Sequence, residues 1–142
     1  MALTPEERER FLAEPHVAAL AVNATEQDRS PLTVPIWYQY RPGGDVWIMT
    51  GRDSRKGKAI AAAERFCLMA DRVSPTVRYV SVEGPAVSTV PATREHLVEM
   101  ASRYLAAEKV AGYVDFAWKE HGEQVVIHMR PQRWLSSDLG EV

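Results

Sequence analysis

Along residues 32–40 the chain alternates. Leu32, Val34, Ile36, Tyr38 and Tyr40 fall on one face, and Thr33, Pro35, Trp37 and Gln39 on the other, because successive side chains of an extended segment point to opposite sides. The pattern predicts one half-buried strand with Tyr38 and Tyr40 in the core. Arg41-Pro42-Gly43-Gly44-Asp45 has the chemistry of a hairpin loop, and Val46-Trp47-Ile48-Met49-Thr50 returns as an antiparallel partner. Upstream, residues 16–22 read as a first buried strand and the polar residues 23–30 as a turn. Thr4-Pro5-Glu6-Glu7 has the form of a helix start, with Thr4 as N-cap, Pro5 in the first helical position and Glu7 completing a capping box. That helix is predicted to run to about Ala13, before Pro15.

After Gly51 the period changes. Residues 55–66 have the Ala, Lys and Glu content of a helix, with Ser54 or Asp53 as N-cap. Residues 67–70 and 77–84 read as strands, the second running on through Pro85 toward Val90, with Gly84-Pro85 marking a bulge or an edge. Leu97, Met100, Ala101, Tyr104 and Leu105 recur at helical spacing and predict a helix over 93–107. Residues 112–121 fit neither period. Residues 124–130 form a last strand that continues past Pro131 through Trp134 to Ser136. About six strands joined mostly by short links argue for an antiparallel barrel with helical insertions, since a parallel sheet needs a crossover after nearly every strand. No repeat or linker divides the chain, so residues 1–142 are read as one domain.

Composition narrows the class. With 142 residues, 46% hydrophobic and 25% charged, the chain has the profile of an ordinary globular domain. The lone cysteine, Cys67, excludes an internal disulfide, fits a reducing compartment and reads as a buried, inert thiol. The amino-terminal segment is polar and acidic, and no apolar run approaches the ~18 residues of a membrane span. These features lead to the expectation of a cytoplasmic protein without a membrane partner. A formal charge of −2 gives no overall attraction for nucleic acid.

Against that balance, Arg52, Arg55, Lys56 and Lys58 place four cations within seven residues at a predicted strand-to-helix turn. A helix start has unpaired N–H groups and a positive dipole end, so cations gather there at a cost unless an anion binds. A phosphate would satisfy both, with the Ser54 hydroxyl and backbone amides donating, and with Gly51 and Gly57 admitting a close approach. The spacing departs from a Walker A loop, because five residues separate Gly51 from Gly57 and Ala59 stands where that motif has a hydroxyl. The bland alternative is a solvated basic turn. Among the four histidines, His16, His96, His121 and His128, no two have metal-pair spacing, and no metal site is expected. His128 reads as structural, and serine-hydrolase chemistry lacks its G-x-S-x-G turn. Trp37, Tyr38, Tyr40 and Trp47 beside a basic turn also suit a nucleic-acid barrel, a reading that the acidic balance weakens.

Pro31-Leu32-Thr33-Val34-Pro35-Ile36-Trp37-Tyr38, then Trp47-Ile48-Met49-Thr50, then Ser54-Arg55-Lys56-Gly57-Lys58-Ala59-Ile60 follow one another in an order that resembles the split β-barrel flavin and deazaflavin oxidoreductases related to pyridoxamine 5′-phosphate oxidase. Tyr79-Val80-Ser81-Val82-Glu83-Gly84-Pro85-Ala86 and Arg130-Pro131-Gln132-Arg133-Trp134 extend the likeness over nearly the whole chain. The resemblance implies a six-stranded antiparallel split β-barrel that forms a homodimer and holds coenzyme F420 or FMN at its interface. It implies that Ser54, Arg55, Lys56 and Lys58 hold the cofactor phosphate, that Pro35, Ile36 and Trp37 line the ring system, and that Met49, Thr50 and Gly51 lie along it. The chain stops at Val142, short of the basic substrate-binding segment of the longer oxidases, which argues against their vitamin activity and for the short F420-dependent branch. The implied reaction is hydride transfer to an unsaturated or conjugated small molecule, its proton supplied by Tyr79, His128 or water. An FMN enzyme of the same fold and a catalytically silent flavin-binding module are the rivals.

Overall fold

The computed structural model describes residues 1–141, and Val142, the last residue of the expected domain, lies outside them. The elements are α1 (Pro5–Ala13), β1 (Ala18–Val22), β2 (Leu32–Ile36), β3 (Gln39–Tyr40), β4 (Val46–Gly51), α2 (Arg55–Ala63), β5 (Arg65–Arg72), β6 (Val77–Pro91), α3 (Arg94–Tyr104), α4 (Ala107–Glu120), β7 (Gln124–Met129) and β8 (Arg133–Gly140). Eight strands replace the expected six. All pair antiparallel, in the order β2-β1-β5-β6-β7-β4-β3, with β8 also on β6. The chain folds as a split β-barrel. Among the described residues no helix is long and apolar enough to cross a membrane.

β6 joins the two halves. Its residues 78–83 pair with β5 on one side and β8 on the other, and from Ala86 onward, through a bulge between Ala86 and Ser88, it pairs with β7. The bulge lies just beyond Gly84-Pro85, the position that the sequence marks as a bulge or an edge. Gly84 has a second reason to be glycine: an added Cβ would lie 1.8 Å from the Arg130 carbonyl oxygen. Arg130 N–H donates to the Pro85 carbonyl at 3.0 Å, and Gln132 N–H to that of Glu83 at 2.9 Å. The expected strand over 124–136 is broken into β7 and β8 at Arg130–Gln132, where Pro131 has no N–H to donate, but both run along the same flank of β6 in nearly the same register.

The barrel interior gathers Leu20, Leu68, Val80, Val82, Ile48, Ile127 and Met129, closed by Phe11 and Leu12 of α1 and Ile60 of α2. Both predicted N-caps hold. Thr4 and Glu7 form the capping box, and the Ser54 hydroxyl accepts from Gly57 N–H. Helix α2 is shorter than predicted. Glu64 adopts φ 61°, a left-handed cap, and Arg65 and Phe66 begin β5. No glycine announces this stop.

Tyr38 and Tyr40 are buried, as the alternation predicts. The Tyr38 hydroxyl donates to the Leu12 carbonyl at 2.6 Å, and burial pushes both phenols up, that of Tyr40 to about 12. The predicted strand over 32–40 is nevertheless broken at Trp37-Tyr38, where Tyr38 N–H donates to the Tyr104 hydroxyl and not to a neighbouring strand. Gln39, expected to face water, is buried, since α3 covers that face and its side-chain amide donates to Glu99 at 3.1 Å. Residues 112–121 belong to α4, whose N-cap Ala106 makes no side-chain cap. Cys67 is half-buried, in contrast to the expected enclosed thiol, with Sγ 3.4 Å from Ser81 Oγ.

Candidate functional site

The α3–α4 hairpin lies over the outer face of β4 and β7, where Trp47, Met49 and Val126 pack against Met100 and its neighbours. Between that hairpin, the end of β2 and the start of α2 runs a cleft of about 620 Å³. Pro35, Ile36, Trp37 and Met49 form its barrel-side wall, and Leu97, Met100, Tyr113, Ala117 and Trp118 its helical wall. Lys56, His121, Glu123 and Gln124 are its polar members. An apolar slot with few polar groups suits a flat, largely apolar ligand fixed at its polar edge.

The turn that ends β4 supplies Lys56. Ser54 Oγ donates to the Gly51 carbonyl at 2.7 Å, accepts from Gly57 N–H at 3.0 Å and lies 2.9 Å from Thr50 Oγ1. Ser54 N–H donates to the Gly51 carbonyl, and Lys58 N–H to that of Ser54. The first-turn amides of Arg55 and Lys56 remain without a protein acceptor, the usual state of a helix start. An added Cβ at Gly57 would meet the Gly51 and Arg52 carbonyl oxygens at 2.5 and 2.9 Å. This glycine serves the closure of its own turn, not the ligand approach expected from the sequence.

The predicted site residues separate into three groups. Pro35, Ile36, Trp37, Met49 and Lys56 come together around the apolar cleft. Arg55 and Lys58 do not join them: with Arg29 and the carboxylates of Glu26 and Asp28 they line a second, polar cleft of about 540 Å³ on the other side of α2. Thr50, Gly51 and Ser54 build the turn, and Thr50 is buried toward the barrel interior. The fourth cation, Arg52, is paired with Glu123 at 3.3 Å. Helical geometry explains the division, because at about 100° per residue Lys56 and Lys58 stand some 160° apart around α2 while Arg55 and Lys58 are only about 60° apart.

The candidate proton donors Tyr79 and His128 do not line the cleft. Tyr79 pairs opposite Ser137 on the barrel's outer surface, and His128 lies 4.0 Å from Asp45 and packs near Trp47. His121 and Tyr113 are in the cleft instead, both on or at the end of α4. These were out of reach from sequence because α4 has neither a cap signal nor an uninterrupted apolar stripe.

A family profile described as pyridoxamine 5′-phosphate oxidase matches residues 4–138. The chain belongs to this family. It is the family of split-barrel flavin and deazaflavin oxidoreductases that the sequence resembles. No curated protein matches the chain. Solved structures support the same fold. An F420 reductase has a TM-score of 0.69 at 20% identity, over 89% of this chain and 94% of that one. A conserved hypothetical protein from Mycobacterium tuberculosis has 0.72 at 22%, over 97% and 86%. An FAD-binding protein from Mesorhizobium loti has 0.68 at 18%, over 99% and 98%. At these identities the likeness is one of fold.

Proposed function

We propose that this protein is an oxidoreductase that holds coenzyme F420 in the apolar cleft, works as a homodimer, and reduces an unsaturated or conjugated small molecule by hydride transfer. The observation that carries this reading is the placement of Lys56, from the first turn of α2, in a slot walled by Pro35, Ile36, Trp37 and Met49. Such a placement fits a ring system with a phosphate, the Lys56 ammonium meeting the anion close to the helix start. Arg55 and Lys58, around the same helix start, suit the further negative charge of this coenzyme. The deazaflavin ring supplies the hydride chemistry when bound. The chain supplies an apolar wall on each side, the exclusion of water by the α3–α4 hairpin, and a titratable imidazole, that of His121, at the cleft.

The outer face of β2, β1, β5, β6 and β8 supports the dimer reading. Pro35, Ala19, Met69, Ser81 and Leu135 stand in register across it, and Leu135 is 66% exposed. A row in register on an open sheet that is apolar at every position but Ser81 invites a second sheet. Pro35 belongs to both this face and the cleft, so a second copy docked here borders the ligand. Leu135→Glu is expected to shift the protein to monomer in analytical ultracentrifugation.

Equilibrium titration tests the cofactor. Wild-type protein should bind F420 more tightly than FMN, and Lys56→Ala should weaken F420 binding by roughly 10- to 150-fold, the equivalent of one lost charge-assisted hydrogen bond. Tighter binding of FMN overturns the choice of cofactor, and binding of neither overturns the proposal. Tight F420 binding with no reduction across a panel of quinones, enones and tetrapyrroles identifies a silent binding module.

A further inference from the structure

The barrel-side wall of the cleft depends on a residue that does not line it. Trp37 sits at the break between β2 and β3, where the chain leaves one sheet and enters the other, so no strand ladder holds its backbone. Its indole stacks on the Tyr104 ring, with centroids 4.6 Å apart and planes 12° from parallel, and Tyr113 tilts against it at 5.6 Å. The Tyr104 hydroxyl accepts from Tyr38 N–H at 3.1 Å and donates to the His16 carbonyl at 2.8 Å, with the Tyr38 carbonyl 3.1 Å away. It thus takes the hydrogen bonds that a neighbouring strand would make, and ties β1's entrance to the β2–β3 break.

Tyr104 is itself held independently of Trp37. The adjacent Arg103 guanidinium donates to the carbonyls of Leu12, Ala13 and Glu14 and to Gln39 Oε1, and lies 4.7 Å over the Tyr38 ring. The end of α3 is therefore anchored to α1 and β3, and it presents Tyr104 as a fixed platform. We propose that Tyr104 is a positioning residue for the cleft: its ring sets the plane of Trp37, and its hydroxyl closes the seam between the two sheets. A side chain whose rotamer is locked by packing of this kind holds a binding surface to within fractions of an ångström.

Ring and hydroxyl can be separated. Tyr104→Phe keeps the stack and removes the hydroxyl, whereas Tyr104→Leu removes both. The Trp37 contribution to the near-UV circular dichroism, taken as the difference from Trp37→Phe, should persist in Tyr104→Phe and fall sharply in Tyr104→Leu, where Tyr113 remains beside the indole. Thermal stability should fall in both. The binding arm rests on the F420 reading: Tyr104→Leu should weaken F420 by about two- to tenfold, the equivalent of one aromatic pair, Tyr104→Phe should restore it, and in a Trp37→Ala background Tyr104→Leu should change nothing. A Trp37 signal undiminished in Tyr104→Leu overturns the proposal, as does equal weakening in both backgrounds. If wild-type protein binds no F420, the functional reading fails, and the dichroism alone decides the role of Tyr104.

Discussion

Inside the barrel, Leu20, Ile48, Leu68, Val80 and Met129 are fully enclosed, whereas the α3–α4 hairpin over its outer wall encloses Leu97, Ala101, Val114 and Ala117 and leaves Phe116 59% and Trp118 47% exposed. The barrel's large side chains meet from two curved halves of sheet and interlock. The hairpin packs mainly small ones, between two helices and against one strand face. Stability thus resides in the barrel, and the surface that meets a ligand belongs half to the barrel and half to an element with little of the core. Such a division lets the helical wall vary without loss of the fold, in keeping with binding residues carried by peripheral segments on a rigid frame.

The sharpest test of that division is Gly84→Ala. A methyl group 1.8 Å from the Arg130 carbonyl cannot be accommodated without separating β6 from the β7–β8 connection, and the expected loss exceeds about 3 kcal/mol in chemical denaturation. Next in size is a contrast between the two regions. Ile48→Ala should cost about 2–5 kcal/mol, and Trp118→Ala, at a half-exposed site, within about 0.5 kcal/mol while altering ligand affinity. Equal losses at the two positions would break the comparison.

A smaller effect belongs to acid. Asp138 on β8 accepts from the Thr76 hydroxyl, the Gly140 amide and Arg78, in that order of influence, and these hold its carboxyl at about 2 against an ordinary 3.8. A depressed carboxylate stabilises the fold above its unfolded value and loses that contribution as pH falls through its folded one. Stability should therefore decline between about pH 4 and 2, and Asp138→Asn should flatten this limb in denaturation followed at stepped pH. One small change is expected to be a gain. Glu64 holds φ 61° as the cap of α2, so Glu64→Gly should stabilise by about 0.5–1 kcal/mol in thermal unfolding.

Features set by neighbours along the chain were readable from sequence. Thr4 with Glu7, Ser54 before Arg55, and the inward Tyr38 and Tyr40 all follow from local chemistry or period. Features set by distant partners were not. The break at Trp37 requires a hydroxyl from residue 104, and the burial of Gln39 requires α3 above it. The end of α2 at Glu64 comes from the Ala86 N–H that its carbonyl receives, with no punctuating residue. At the site, the hydrophobic wall Pro35–Trp37 and the cation Lys56 were within reach, and the partition of the basic cluster was implicit in its helical spacing. The α4 wall was hidden, since Ala106 does not cap and Gly112 interrupts the apolar stripe.

β6 belongs to both halves of the barrel, and over residues 78–83 it is paired on both flanks. Residues 86–91 of the same strand pair with β7 in the other half, so neither half can detach without stripping part of this strand of its partners. The two halves therefore melt as one cooperative unit. The amides of residues 78–83 should be among the last in the molecule to exchange with deuterium, at a rate that reports opening of the whole barrel and not of a part.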